Sequence, residues 1–127
     1  MVVVFNKTRN ERVENIEVAC SLFKRAKGLM FRKNGRMLFD FKKETKAGIW
    51  MLFVKFPLDI VFIGDDQKIN KIVRDAKPIS LNPKTWRLYR ARCRFVLEVM
   101  AGETRTWQEE DKIKIVWDHE RSDKSNC

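Results

Sequence analysis

Two carboxylates in this chain of 127 residues sit among apolar neighbours: Asp59 between Leu58 and Ile60 beside Pro57, and Glu98 within Val96-Leu97-Glu98-Val99. Burial disfavours a charged carboxylate and raises its pKa unless a partner compensates. If both faced one cleft, within about 5 to 10 Å of each other and near Trp50, they would form a general acid and base pair. The commoner fate of such a carboxylate is an ion pair with an arginine. An enzyme built on Asp59 and Glu98 is therefore the weaker reading, and a noncatalytic role the stronger.

The cations offer a second chemistry. Lys24, Arg25, Lys27, Arg32, Lys33 and Arg36 follow one another without an acid, with Phe23 and Phe31 interleaved. Lys84, Arg87, Arg90, Arg92 and Arg94 surround Trp86 and Tyr89, the mix of charge and stacking rings used on single-stranded nucleic acid. The leading expectation is a binding module that holds an anionic small molecule or partner at a rim of Arg25, Lys27, Arg32, Arg87, Arg90 and Arg92, with Trp50 and Trp86 as aromatic contacts. Nucleic acid is the sharpest alternative. Against both stands a plain one: the rings are core and the cations a solvated rim, since the base-stacking signatures of RNA modules are absent. Trp50, Met51, Phe53 and Phe56 form an apolar run that reads as core before it reads as a ligand pocket. A structural or protein-interaction role would show as an exposed apolar patch or an unpaired sheet edge.

Composition narrows the field further. His119 is the only histidine, which removes the usual histidine metal sites and histidine-dependent triads. Cys20, Cys93 and Cys127 are odd in number and widely spaced, so neither a disulfide framework nor a zinc knuckle is expected. Cys93, between Arg92 and Arg94, reads as a small strand residue. No metal and no cofactor is anticipated. The net charge of +10 and pI near 9.8 set up a field that favours anionic partners. The apolar start, Val2 to Phe5, is shorter than a signal-peptide core. The stretch from Gly48 to Gly64 carries Lys55, Pro57 and Asp59, which argues against a membrane span. A reduced, cytoplasmic setting without membrane insertion fits these features.

The elements that must position these residues are short strands. Val2 to Phe5 and Arg12 to Ala19 are β-branched runs. Ser21 can cap a short helix through Lys27, with Gly28 in the C′ position. After Asn34-Gly35, Met37 to Phe41 alternates as a strand and Lys42 to Lys46 reads as a charged loop. Gly48 to Val54 and Leu58 to Ile63 are nearly continuous apolar runs, as in strands covered on both faces. Lys68 to Arg74 follows a tight turn, an irregular segment spans Pro78 to about Arg92, and Cys93 to Ala101 and Lys112 to Trp117 supply two more strands. The expected fold is mainly β, a single barrel or sandwich of about eight short strands and one short helix over residues 1–117, with a polar tail at 118–127.

Several segments together resemble a known family: Arg25-Ala26-Lys27-Gly28-Leu29-Met30-Phe31-Arg32, Met37-Leu38-Phe39, Trp50-Met51, Pro57-Leu58-Asp59-Ile60-Val61-Phe62, and Phe95-Val96-Leu97-Glu98 with Ala101-Gly102. They are similar to the uncharacterised ancient-conserved-region family, domain-of-unknown-function family one hundred and ninety-two, in the right order across roughly residues 13 to 117. The resemblance implies a β-rich barrel or sandwich with a short helix and no established activity. A polar Lys-Asn pair commonly follows Trp-Met in the family. Here Leu52-Phe53 replaces it, which resembles the archaeal branch and speaks against a polar site after Trp50. Many bacterial members look exported, whereas this chain begins almost directly at its domain.

Overall fold

The computed structural model describes residues 1–19, 28–30, 32 and 34–117. Among the described residues seven strands carry the fold, β1 (Val2–Asn6), β2 (Glu11–Ala19), β3 (Met37–Ile49), β4 (Leu58–Ile63), β5 (Ile69–Ala76), β6 (Tyr89–Met100) and β7 (Ile113–Trp117), with one 3-10 turn at Pro83–Thr85. They form one sheet in the order β5-β4-β6-β3-β2-β1-β7. β2 changes partner along its length, pairing antiparallel with β1 up to Ile16 and parallel with β3 from Glu17 to Ala19, and this makes the sheet curl. The two sheet edges meet at one corner. There Lys68 bridges Lys112, the Ile69 N–H donates to the Asp111 carbonyl at 3.0 Å, and the Ile113 N–H donates to the Gln67 carbonyl at 2.8 Å. The result is a half-closed barrel, mainly β as the sequence predicts.

Alternation along each strand divides the apolar residues between two faces. All seven strands contribute to the interior of the curl, through residues such as Val4, Ile16, Leu38, Val61, Ile69, Leu97 and Ile113. Trp107 fills one end of it, buried, its indole N–H donating to Glu11 Oε1 at 3.0 Å. The other face of β3, β4 and β6 presents Phe39, Ile49, Ile60, Phe62 and Val96, and is covered by Met51, Val54 and Phe56 from the 50–57 segment. β4 is accordingly buried at every position, as its unbroken apolar run requires.

The strand boundaries differ from the sequence reading in one instructive place. The run Lys42–Lys46 is not a loop but part of β3, which continues from Met37 to Ile49 with a register shift against β6 between Asp40 and Thr45, where Lys42 adopts φ 70°. A bulge lets a charged, exposed stretch stay in the ladder. Met51 to Val54, expected as strand, is instead a turn closed by the Val54 N–H to the Met51 carbonyl at 3.2 Å. Two predicted strands thus merge into one and leave seven. β6 also starts earlier than expected, at Tyr89. The predicted helix from Ser21 to Lys27 and the tail 118–127 lie outside the described residues. Gly28 has φ 50°, the left-handed conformation that a helix C′ glycine adopts. Among the described residues no helix is long and apolar enough to cross a membrane.

Candidate functional site

Glu98 lies on β6, directly across from Met37 of β3 on one side and Ile60 of β4 on the other. Its carboxyl therefore interrupts an apolar row at the centre of the sheet, on the face covered by the 50–57 segment. Glu98 is only 4% exposed and makes no hydrogen bond or ion pair among the described residues. Burial pushes its pKa from the ordinary 4.5 up to about 8, because the charged form has lost water and gained no partner.

The carboxyl opens into a cavity of about 160 Å³. Gly28, Leu29 and Met30 form one wall, Phe39, Gly48 and Ile49 of β3 the floor, and Trp50, Leu52 and Val54 the other wall. Trp50 is half-exposed at 50%, so its ring borders both cavity and solvent. The turn that carries Leu52 and Val54 holds Phe53 at φ 59°, a conformation that costs a bulky residue about 1–2 kcal/mol. Leu52 contributes an aliphatic side chain to this wall. Segments from four of the five stretches that carry the family resemblance meet here.

Asp59 is elsewhere. It pairs with Val99 while its neighbour Ile60 pairs with Glu98, and successive strand residues point to opposite faces, so Asp59 and Glu98 stand on opposite sides of the sheet. They share no cleft, and the acid and base pair considered from sequence is not formed. Asp59 is buried and fully engaged: Oδ1 accepts from the Asp75 N–H at 3.0 Å, and Oδ2 from the Gly102 N–H at 3.1 Å and the Thr104 hydroxyl at 3.0 Å. It ties the 101–106 turn to the end of β5.

The basic candidates also separate. Arg32 pairs with Glu17, with a second bond to Oε1 at 3.0 Å, and borders an open groove that includes Arg36 and Met100. Arg36 is likewise held by Glu103. Arg90 and Arg92 occupy the opposite end of β6 from Met100, about 26 to 33 Å of strand away. Arg25 and Lys27 lie outside the described residues. Arg87 stacks over the Tyr89 ring at 5.4 Å. Trp86 donates its indole N–H to the Ser80 carbonyl at 2.7 Å, with the residue 61% exposed. Arg90 and Arg92 share one face with Lys46, which lies directly opposite Arg92, while Glu44 approaches Arg92 only to 3.8 Å.

Sequence reasoning passed over Lys46, read as loop, and Leu29, Met30, Leu52 and Val54, whose apolar character gave no signal beyond core. Cys93 is buried and its thiol is pushed up to about 11, chiefly by burial, which makes it an inert strand residue. Among the described residues no group of three His, Cys, Asp or Glu side chains could hold a metal ion.

The family described as Uncharacterized ACR, DUF192, matches residues 3–115. The UPF0127 protein PH1112 of the archaeon Pyrococcus horikoshii is 29% identical over 121 residues, covering 91% of this chain and 98% of that protein. Among solved structures, a candidate transcription regulator from Sinorhizobium meliloti superposes with a TM-score of 0.75 at 26% identity, covering 89% of this chain and 90% of its own. A protein of unknown function from Novosphingobium aromaticivorans gives 0.76 at 29% identity, covering 89% and 82%. The chain belongs to the DUF192 family.

Proposed function

We propose that this member of an uncharacterised family is a noncatalytic binding module that takes a small ligand into the cavity beneath the 50–57 segment, with Glu98 as polar anchor and Trp50 as aromatic wall. One observation carries the reading: a buried carboxyl without a partner among the described residues opens into a cavity of about 160 Å³. A carboxyl desolvated without a compensating partner is costly to charge, and a pocket converging on such a group is where a ligand is expected. A binding role is favoured over catalysis because Glu98 is the one titratable group lining the cavity among the described residues. An amide-detected NMR screen of small molecules tests this. Hits should shift Leu29, Phe39, Ile49 and Val54 together and weaken in Trp50→Ala; a screen whose hits never touch these residues would refute it.

A second reading has its own support. Lys46 opposite Arg92, with Arg90 one pair further along the same face, places like charges across a ladder where they destabilise it. An anionic partner, nucleic acid included, would offset that repulsion. Anisotropy of labelled single-stranded RNA and DNA, titrated with salt, should show binding that survives physiological salt and drops in Arg90→Ala/Arg92→Ala. Binding abolished by modest salt equally in both proteins would reduce the charge to a solubility feature.

A further inference from the structure

We infer that the ligand of the Glu98 cavity is a small organic ammonium compound, a protonated amine on a short apolar body that pairs its charge with the Glu98 carboxylate beneath Trp50. The inference rests on the binding reading above and names its ligand class.

Among the described residues the cavity places the Glu98 carboxyl at its base and brings no cationic side chain to meet it. β3 presents Met37 and Phe39 to Glu98, β4 presents Ile60, the 51–54 turn presents Leu52 and Val54, and the 28–30 segment presents Leu29 and Met30. No second titratable or charged group faces the carboxyl among the described residues. Arg32 and Arg36, the described cations of the adjoining segment, are held by Glu17 and Glu103. Asp59 points to the other face. A ligand that satisfies Glu98 must therefore bring its own donors, and an ammonium group brings three together with the countercharge that burial withholds.

The rest of the cavity suits the rest of such a molecule. The Leu29, Ile49, Leu52 and Val54 side chains in its lining would desolvate a short alkyl chain. Its volume of about 160 Å³ equals roughly five water molecules at about 30 Å³ each, which suits a body of four or five heavy atoms. The half-exposed Trp50 also lines the cavity, and an indole there can attract a cation.

The proton balance gives the signature. With its pKa at about 8, the free carboxyl is mostly protonated at neutral pH. An alkylammonium, like a lysine side chain, stays charged to about pH 10. Binding then expels the Glu98 proton to solvent. Affinity should rise about tenfold per pH unit up to about pH 8 and level off above it, with nearly one proton released per ligand at neutral pH.

Calorimetry with n-butylammonium and n-butanol, in buffers of different ionisation enthalpy, tests this on the full chain. The expected result is butylammonium binding with proton release, lost in Glu98→Gln and weakened about two- to fivefold in Trp50→Ala. Butanol binding that matches or exceeds butylammonium, releases no proton and persists in Glu98→Gln would overturn the ammonium assignment and leave the binding reading intact. Binding of neither compound by a folded protein would overturn both.

Discussion

Glu98→Gln is the sharpest perturbation the structure offers, because it preserves shape and removes only the titration. In the unfolded chain this carboxyl titrates at its ordinary 4.5, and in the folded protein at about 8. Between these values the folded protein holds a proton that the unfolded chain has released. The native pKa is the raised one, so stability from this group is fully present below about pH 4.5 and is lost as pH rises through about 8. At roughly 1.4 kcal/mol per pH unit the interval sets a ceiling of about 5 kcal/mol, a large part of the 5–15 kcal/mol that holds an ordinary domain together. The substituted amide cannot ionise. The variant should match its parent within about 1 kcal/mol near pH 4.5 and exceed it by about 3–5 kcal/mol near pH 9. Urea unfolding at about pH 5, 7 and 9 reads the difference directly, with the m-value checked for constancy. If the stability difference changes by less than about 1 kcal/mol across that range, Glu98 titrates as an exposed carboxyl and the account of its cavity fails.

Three further outcomes follow from other parts of the fold. Asp59→Ala strands the Gly102 and Asp75 N–H groups and the Thr104 hydroxyl, and should cost about 3 kcal/mol in urea unfolding; a loss below about 1 kcal/mol would mean water replaces the carboxylate freely. Asp111 is held below the usual carboxylate range: burial alone would raise it, but hydrogen bonds from Arg9, Asn6 and the Gln108 N–H together outweigh that. Its depressed native pKa stabilises the fold above the unfolded value and is lost as pH falls through the native one. Asp111→Asn should therefore cost about 1–3 kcal/mol at neutral pH and progressively less in acid, as followed by thermal melts. The Cys93 thiol, buried and pushed up to about 11, should be modified by a thiol reagent near pH 8 only as fast as the protein unfolds; modification at the rate of a free thiol would contradict its placement.

Much of this molecule is local and could be read residue by residue. Strand periodicity is a property of neighbouring residues, so Val2 to Phe5 and Leu58 to Ile63 declare themselves as strands and the mainly β class follows. Glu98 and Asp59, each wedged between aliphatic residues, declare their burial in the same way. What a carboxylate meets once buried is another matter. Whether Asp59 and Glu98 share a side depends on the parity of the β4–β6 register, and register is set by bulges and turns that no short window contains. The same holds for Lys46, which faces Arg92 only because β3 absorbs a bulge after Asp40. It holds for the cavity too, whose walls come from 28–30, from β3 and from a turn that folds back over the sheet. Apolar residues carry no label for which apolar partners they will cover, and only their packing in three dimensions shaped a cavity above one buried carboxyl.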